Sequence, residues 1–283
     1  MIFVGADSSK NIRAGDALLD DKYRLINDAV FGKGSRDKMK MGYNLFKNYG
    51  KGSEGFQITS CQFAVHYFFE SKYTLENFIS NVVECTKVGG YFIGTSYDGQ
   101  ILFDMLKKYD KGDGKVLRDK TGKVMWEITK QYERDEFNND GSCIGYSVDV
   151  YQESINKTFR EYLVNYEYFN DLMNAYGFTL VPSDEMKSLG LNSSNGLFSD
   201  LFKHVKEASL MNDKYKKNKL GTSLEMSDNE KEISFLNRYF VYKKTRKYIG
   251  DINIFTNDHL THGETVEKVE EEIKVEDNIK NEE

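Results

Sequence analysis

The sequence predicts an α/β fold, and two apolar runs with the segment between them carry that prediction. Phe56-Gln57-Ile58-Thr59-Ser60-Cys61-Gln62-Phe63 reads as a buried strand, and Val88-Gly89-Gly90-Tyr91-Phe92-Ile93-Gly94-Thr95 as a second one entered through a glycine turn. Between them Leu75, Phe78, Ile79, Val82 and Val83 recur at i, i+3, i+4, i+7 and i+8. That is the apolar stripe of one helix face, with Thr74 as its expected N-cap. Strand, helix and strand at this length form a right-handed βαβ unit. The first strand ends in Gln62, His66 and Tyr67, and open α/β sheets keep their ligands outside the carboxyl ends of their strands.

The other elements follow from the same patterns. Ile2–Ala6 reads as a short strand closed by Asp7, residues 10–27 as irregular to helical, and 31–55, with six glycines, as a loop-rich insertion. Gly32-Lys33-Gly34-Ser35 and Gly50-Lys51-Gly52-Ser53 lack the spacing of a phosphate-binding loop. Ile101–Tyr109 is expected to be helical. From about 110 to 160 the character changes: Trp126-Glu127-Ile128-Thr129 and Ile144–Tyr151 alternate apolar and polar residues, as antiparallel strands do. Phe169, Leu172, Met173 and Tyr176 restore the helical period, Gly177 stops it, and Phe178–Val181 is a strand halted by Pro182. Gly196–Val205 is expected to be helical, Asp213–Leu220 a lysine-rich loop and Phe235–Tyr242 the last strand.

Charge separates a body from a tail. The chain of 283 residues has a net charge of −6, but Asp258–Glu283 holds ten acids against three lysines, which leaves residues 1–257 at about +1. The tail from about Thr256 is expected to be disordered, with Val266–Val275 able to form a helix on a partner. Cys61, Cys85 and Cys143 show no CxxC spacing and read as small core residues in a reducing compartment. The four histidines give no metal spacing, and no apolar run reaches 18 residues. The protein is expected to be soluble and cytoplasmic.

Position alone leaves the roles of the polar residues open. Asp7 could accept the exocyclic amine of an adenine or cap the next turn. Gln62 and Tyr67 could bind a ligand or only finish a strand. A lone His66 among apolar residues is most often a core residue, and Glu161, in Arg160-Glu161-Tyr162-Leu163-Val164, a surface charge.

A resemblance narrows these alternatives. Ser60-Cys61-Gln62-Phe63-Ala64-Val65-His66-Tyr67-Phe68-Phe69-Glu70-Ser71 resembles, nearly residue for residue, the signature of the messenger-RNA cap guanine-N7 methyltransferases. Val88–Thr95 is similar to that family's following strand, Ala6-Asp7-Ser8-Ser9 to its adenine-side acid, and Arg160–Val164 to its cap-contacting segment. Lys231-Glu232-Ile233-Ser234-Phe235-Leu236-Asn237-Arg238-Tyr239-Phe240-Val241-Tyr242-Lys243-Lys244 is similar to its closing element. In style the match is nearest to the enzymes of large DNA viruses.

The resemblance implies a class I S-adenosylmethionine-dependent methyltransferase (Rossmann-like) fold over residues 1–255, with the antiparallel insertion at about 110–160 and the tail at 256–283. It implies transfer of a methyl group from S-adenosylmethionine to N7 of the guanine cap. It also implies cofactor contacts at Asp7, Gln62 and Tyr67 and cap contacts at His66, Glu161 and Tyr239, with Asn237 at the last point if the alignment is ungapped. The implied partner is the capped 5′ end of mRNA. The family's glycine-rich turn and its acid have no counterpart after Met1. The chain is therefore expected to be the larger C-terminal part of the domain, working with an upstream segment or another capping-enzyme domain. The rival expectation is a noncatalytic subunit that keeps the fold and binds RNA or a catalytic partner.

Overall fold

A computed structural model of the protein describes residues 2–211 and 222–250. The lysine-rich stretch 213–220 and the acidic tail lie outside the described residues. Two helices come first, α1 (Asp21–Val30) and α2 (Lys38–Lys47), the second broken at Gly42. The segment 31–55 is thus partly helical, where a loop was expected. Ile2–Ala6 is not a strand. Ala6 makes one isolated antiparallel bridge to Leu18, and without a neighbouring strand the run has no ladder to join.

The βαβ unit forms as expected. β1 (Phe56–Gln62) pairs in parallel with β2 (Thr86–Tyr97) through the short helix α3 (Val65–Phe68) and the longer α4 (Lys72–Cys85). All five residues of the α4 stripe are buried. Its N-cap is Ser71, three residues before the expected Thr74. The Ser71 hydroxyl accepts from the Thr74 amide at 3.2 Å, and Thr74 Oγ1 accepts from the Ser71 amide at 3.1 Å, a reciprocal capping box. The glycines at 89–90 do not end the helix, which stops at Cys85. They sit inside β2, where Gly89 (φ +80°) bulges the strand and lets the register move from Phe56↔Thr86 to Ile58↔Tyr91.

β1 is exposed where a buried strand was expected. It is the edge of its sheet among the described residues, and Ile58 is 59% exposed. An apolar run reports the preference of the chain for burial, and an edge position can leave that preference unmet.

After β2 the chain forms α5 (Gly99–Leu106) and then the antiparallel insertion. This is β3 (Gly114–Arg118), β4 (Val124–Lys130), β5 (Ser147–Gln152) and β6 (Lys157–Tyr162), paired in sequence order. α6 (Tyr166–Ala175) and β7 (Phe178–Leu180) return to the first sheet, followed by α7 (Ser183–Ser188). The next segment opens as a strand rather than a helix. Asn195–Leu197 is β8, and α8 (Phe198–Met211) begins after it. Finally α9 (Asp228–Ser234) leads into β9 (Asn237–Lys244), which lies antiparallel between β2 on one side and β7 and β8 on the other. The architecture is α/β, one mixed sheet carrying a second, antiparallel one.

The first sheet packs around Phe92, Phe169, Phe178, Phe240 and Tyr242, all buried, with the Phe92 and Phe240 ring centroids 5.0 Å apart. Gly94 stands opposite Phe240, and a Cβ there would come within 2.3 Å of that ring, so glycine is what lets the ring lie against the strand. At the far end of β9 the buried Lys244 donates from Nζ to the carbonyls of Val83 (2.6 Å) and Thr86 (2.8 Å). An ammonium thus satisfies carbonyls that the end of α4 would leave orphaned, where the helix dipole favours a cation. Burial lowers the Lys244 pKa from its ordinary value.

Lys244→Met keeps the aliphatic stem and strands two buried carbonyls, so unfolding free energy should fall by about 1–3 kcal/mol. Urea denaturation checks this. A midpoint equal to that of the wild type would show that water takes over both carbonyls.

Candidate functional site

A cavity of about 500 Å3 opens where the carboxyl ends of β1 and β2 face the insertion sheet. Its depth is set by two buried groups brought together from distant segments. His66 comes from α3 and Glu161 from β6, and they are 4% and 8% exposed. His66 Nε2 stands 3.6 Å from Glu161 Oε2, beyond a hydrogen bond, and both imidazole nitrogens and Oε2 lack a hydrogen-bond partner. Burial pushes the imidazole down to about 4 and the carboxyl up to about 7. The directions agree physically, since in a water-poor pocket each group avoids its charged form. At neutral pH the pair is an uncharged imidazole beside a carboxyl poised between its two states. Orphaned buried polar atoms of this kind, one of them the N–H of the neutral imidazole, cost stability unless a ligand supplies partners.

Aromatic and apolar walls surround the pair. Tyr67, 40% exposed, packs its ring 4.3 Å from His66, and its phenol is held protonated by burial and by the nearby Glu161. Tyr97, at the end of β2, accepts a hydrogen bond from Trp126 Nε1 at 3.1 Å, which fastens the first sheet to the second behind the cavity. Burial pushes that phenol up to about 12. Phe63 occupies the rim in the left-handed region (φ +51°), a conformation that costs a non-glycine residue on the order of 1–3 kcal/mol. The turn takes the chain out of β1 and leaves the ring edge-on to Phe198, with centroids 6.0 Å apart. Val150, Ile155 and Phe159 close the insertion side.

The sequence-selected residues fall into two groups. His66, Tyr67 and Glu161 share the cavity, and Asn237 lines it as well. Tyr239 does not line it. It is buried in β9 and donates from its hydroxyl to the Ser193 carbonyl at 3.1 Å. Gln62 is exposed at the end of β1, accepting from Thr95 Oγ1 (2.9 Å) and donating to Ser60 Oγ (3.0 Å). Asp7 is engaged in its own turn. Its Oδ1 accepts from the Ser9 amide and hydroxyl, its Oδ2 is 3.4 Å from Lys10 Nζ, and the Ser9 bonds hold its carboxyl below the usual range.

Sequence reasoning did not single out Phe63, Tyr97, Phe159 or Phe198. For Phe159 a signal was present, since it precedes Glu161 by two residues and so shares its face of a strand. The others depend on contacts between distant segments. Among the described residues no group of three or more His, Cys, Asp or Glu is placed to bind a metal ion, and no helix is long and apolar enough to cross a membrane.

Residues 35–245 match the model of the mRNA (guanine-N(7))-methyltransferase domain. The chain is 26% identical over 206 residues to the "Probable mRNA-capping enzyme" of Acanthamoeba polyphaga mimivirus, covering 67% of this chain and 17% of the relative. It is 26% identical over 203 residues to the mRNA cap guanine-N(7) methyltransferase of Saccharomyces cerevisiae, covering 71% and 44%. A segment of 50 residues is 42% identical to the Drosophila melanogaster enzyme of the same name, covering 18% and 12%. The chain therefore spans less than half the length of these curated relatives. Among solved structures, a methyltransferase from Streptomyces caelestis covers 69% of this chain and 59% of its own at 10% identity, with a TM-score of 0.36. An S-adenosylmethionine-dependent methyltransferase from Clostridium acetobutylicum covers 46% and 50% at 15% identity, with a TM-score of 0.30. The family match takes in every residue that lines the cavity, together with both sheets, and the chain belongs to the mRNA (guanine-N(7))-methyltransferase family.

Proposed function

We propose that this chain binds the guanine cap of mRNA in the His66–Glu161 cavity and carries out methyl transfer to N7 from S-adenosylmethionine, as the cytoplasmic or nuclear capping machinery requires. The observation that carries the reading is Glu161, a buried carboxyl with an unpartnered oxygen at the bottom of an aromatic-walled cavity. Guanine offers N1–H and N2–H₂ side by side, and one carboxylate accepts both. The neutral imidazole beside it adds a polar contact without a competing positive charge, and the apolar walls accept the faces of the base.

Gln62 ends β1 and Tyr67 follows in α3, both partly open to solvent beyond the strand end, a fit to a cofactor that has an amino-acid and a nucleoside part. Asp7 would join them only by giving up its contacts with Ser9 and Lys10. When bound, S-adenosylmethionine supplies an activated sulfonium methyl. The N7 lone pair is already a nucleophile, so the chain has no proton to move in the chemical step. Its residues orient the base through Glu161 and His66 and exclude water through Phe63, Tyr97 and Phe159, and orientation is the main source of rate in such a site.

Four measurements test this reading. The first is the activity itself: the full chain, with any upstream partner segment supplied, should methylate a guanine-capped RNA, and binding of the cap without turnover would favour the noncatalytic rival.

The second concerns Glu161. Glu161→Gln replaces one acceptor with a donor that faces the donors of guanine. Cap affinity should fall steeply while S-adenosylmethionine affinity holds. A cap bearing inosine, which lacks the N2 amine, should lose affinity for the wild type and much less for the variant. Additive losses would remove Glu161 from the guanine edge.

The third is pH. Guanine binding selects the carboxylate form, and the free carboxyl titrates at about 7, so binding below that pH must expel a proton. Affinity should rise with pH, by nearly tenfold per unit below about 6, and level off above about 8. Glu161→Gln should flatten the profile. His66, down at about 4, stays neutral through this window.

The fourth is Tyr67→Ala, which should weaken S-adenosylmethionine binding by about 1–3 kcal/mol through lost packing and an unpaired polar partner. An unchanged dissociation constant takes Tyr67 out of the cofactor site.

A further inference from the structure

β6 carries more than Glu161. With a side-chain period of two, Lys157, Phe159 and Glu161 lie on one face of the strand, spaced by about 6–7 Å per step. The pairing with β5 confirms the face. Lys157 stands opposite Gln152, Phe159 opposite Val150 and Glu161 opposite Val148, and both Gln152 and Val150 line the cavity. Residues directly opposite in an antiparallel pair share a face. The row is graded from inside to outside. Glu161 is buried, Phe159 is 38% exposed and Lys157 is exposed at the strand's outer end.

The charges around this row are already matched, except one. Arg160, on the opposite face, is paired with Asp149, and Glu153 in the β5–β6 turn is paired with Lys123. Among the described residues no ion-pair partner stands against Lys157. One strand face thus presents a buried acceptor, an aromatic ring and an unmatched cation. A nucleotide lying along it would meet these groups in the order of its own chemistry: base edge, sugar, phosphate. From Glu161 to Lys157 is about 13 Å along the strand, comparable with a nucleoside 5′-phosphate once the reach of the lysine is included.

We propose that β6 is a track for the capped end, on which Lys157 holds the triphosphate bridge while Phe159 packs against the sugar between it and the guanine on Glu161. The proposal rests on the reading of Glu161 as the guanine contact and adds a direction. The RNA leaves the cavity over the β5–β6 hairpin, and Ile155, 53% exposed in its turn, lies beside the exit.

Binding of three probes, guanosine, GTP and the capped dinucleotide GpppA, tests it on the full chain. Lys157→Ala should weaken GTP and GpppA by about 3- to 10-fold and leave guanosine unchanged. It should also reduce the salt dependence of GpppA binding by about one phosphate contact. Lys187→Ala, which removes an equal charge from α7, should alter neither. The proposal is overturned if Lys157→Ala leaves GpppA affinity and its salt slope unchanged, or if it weakens guanosine as much as GpppA, or if Lys187→Ala has the same effect. Failure of the underlying reading looks different. Guanosine then fails to bind the wild type, or binds Glu161→Gln equally well, and the track falls with it.

Discussion

The cavity end of the molecule is held by one buried carboxylate, Asp98. It directly follows β2, is 3% exposed and has three commitments. Its Oδ1 accepts from the Ile101 amide and caps α5, its Oδ2 accepts from Arg238 Nε at 2.6 Å, and its own amide donates to the Leu236 carbonyl. Arg238 in turn donates to Asn195 Oδ1 at 2.9 Å and lies over the Tyr166 ring, whose hydroxyl is 2.7 Å from Ser96 Oγ. Through this one group β2, α5, β8, α6 and β9 meet at a fixed point. A buried charge stripped of its partner typically costs about 3–5 kcal/mol, so the junction specifies its arrangement strongly even if the pair adds little net stability. Asn237, one residue before Arg238, and Tyr97, one before Asp98, both line the cavity. Their positions follow from the ion pair.

Against that rigid frame the His66–Glu161 pair is energetically incomplete. The Asp98–Arg238 junction pairs its buried polar groups, while the His66–Glu161 pair leaves both imidazole nitrogens and one carboxylate oxygen without partners. Phe63 adds a strained backbone at the rim. Both costs fall in the same 500 Å3 cavity. Three unpartnered buried polar atoms and a strained backbone gathered around one cavity mark a place where binding rather than folding sets the residue choice.

Local periodicity made much of this legible in the sequence. The α4 stripe, the parallel β1–β2 unit, the α6 pattern and the antiparallel insertion all follow from spacing over a few residues, where the chain's preference and the final contacts agree. The mistaken expectations share the opposite property. Ile2–Ala6 has the composition of a strand but no partner strand, and Phe56–Gln62 has the composition of a buried strand but lies at an edge. Pairing and cover are supplied by other segments, so no window of sequence contains them. The Ser71–Thr74 box is present in the sequence as a Ser-x-x-Thr pattern, in which Thr74, nearest the stripe, is the partner and Ser71 the cap.

The site shows the same division more sharply. His66 and Glu161 are 95 residues apart, one in a four-residue helix and the other in a strand of a different sheet, so their approach to 3.6 Å is invisible to spacing. Taken singly, each favoured a bland role. Only the resemblance of two separate segments to one family joined them. Burial then turns an ordinary acid into a carboxyl titrating at about 7, because the first sheet and the insertion sheet close over it from opposite sides. The chemistry of Glu161 is therefore a property of the junction between the two sheets. The Trp126–Tyr97 hydrogen bond, which fastens the two sheets behind the cavity, supports the burial of the acid without touching a ligand.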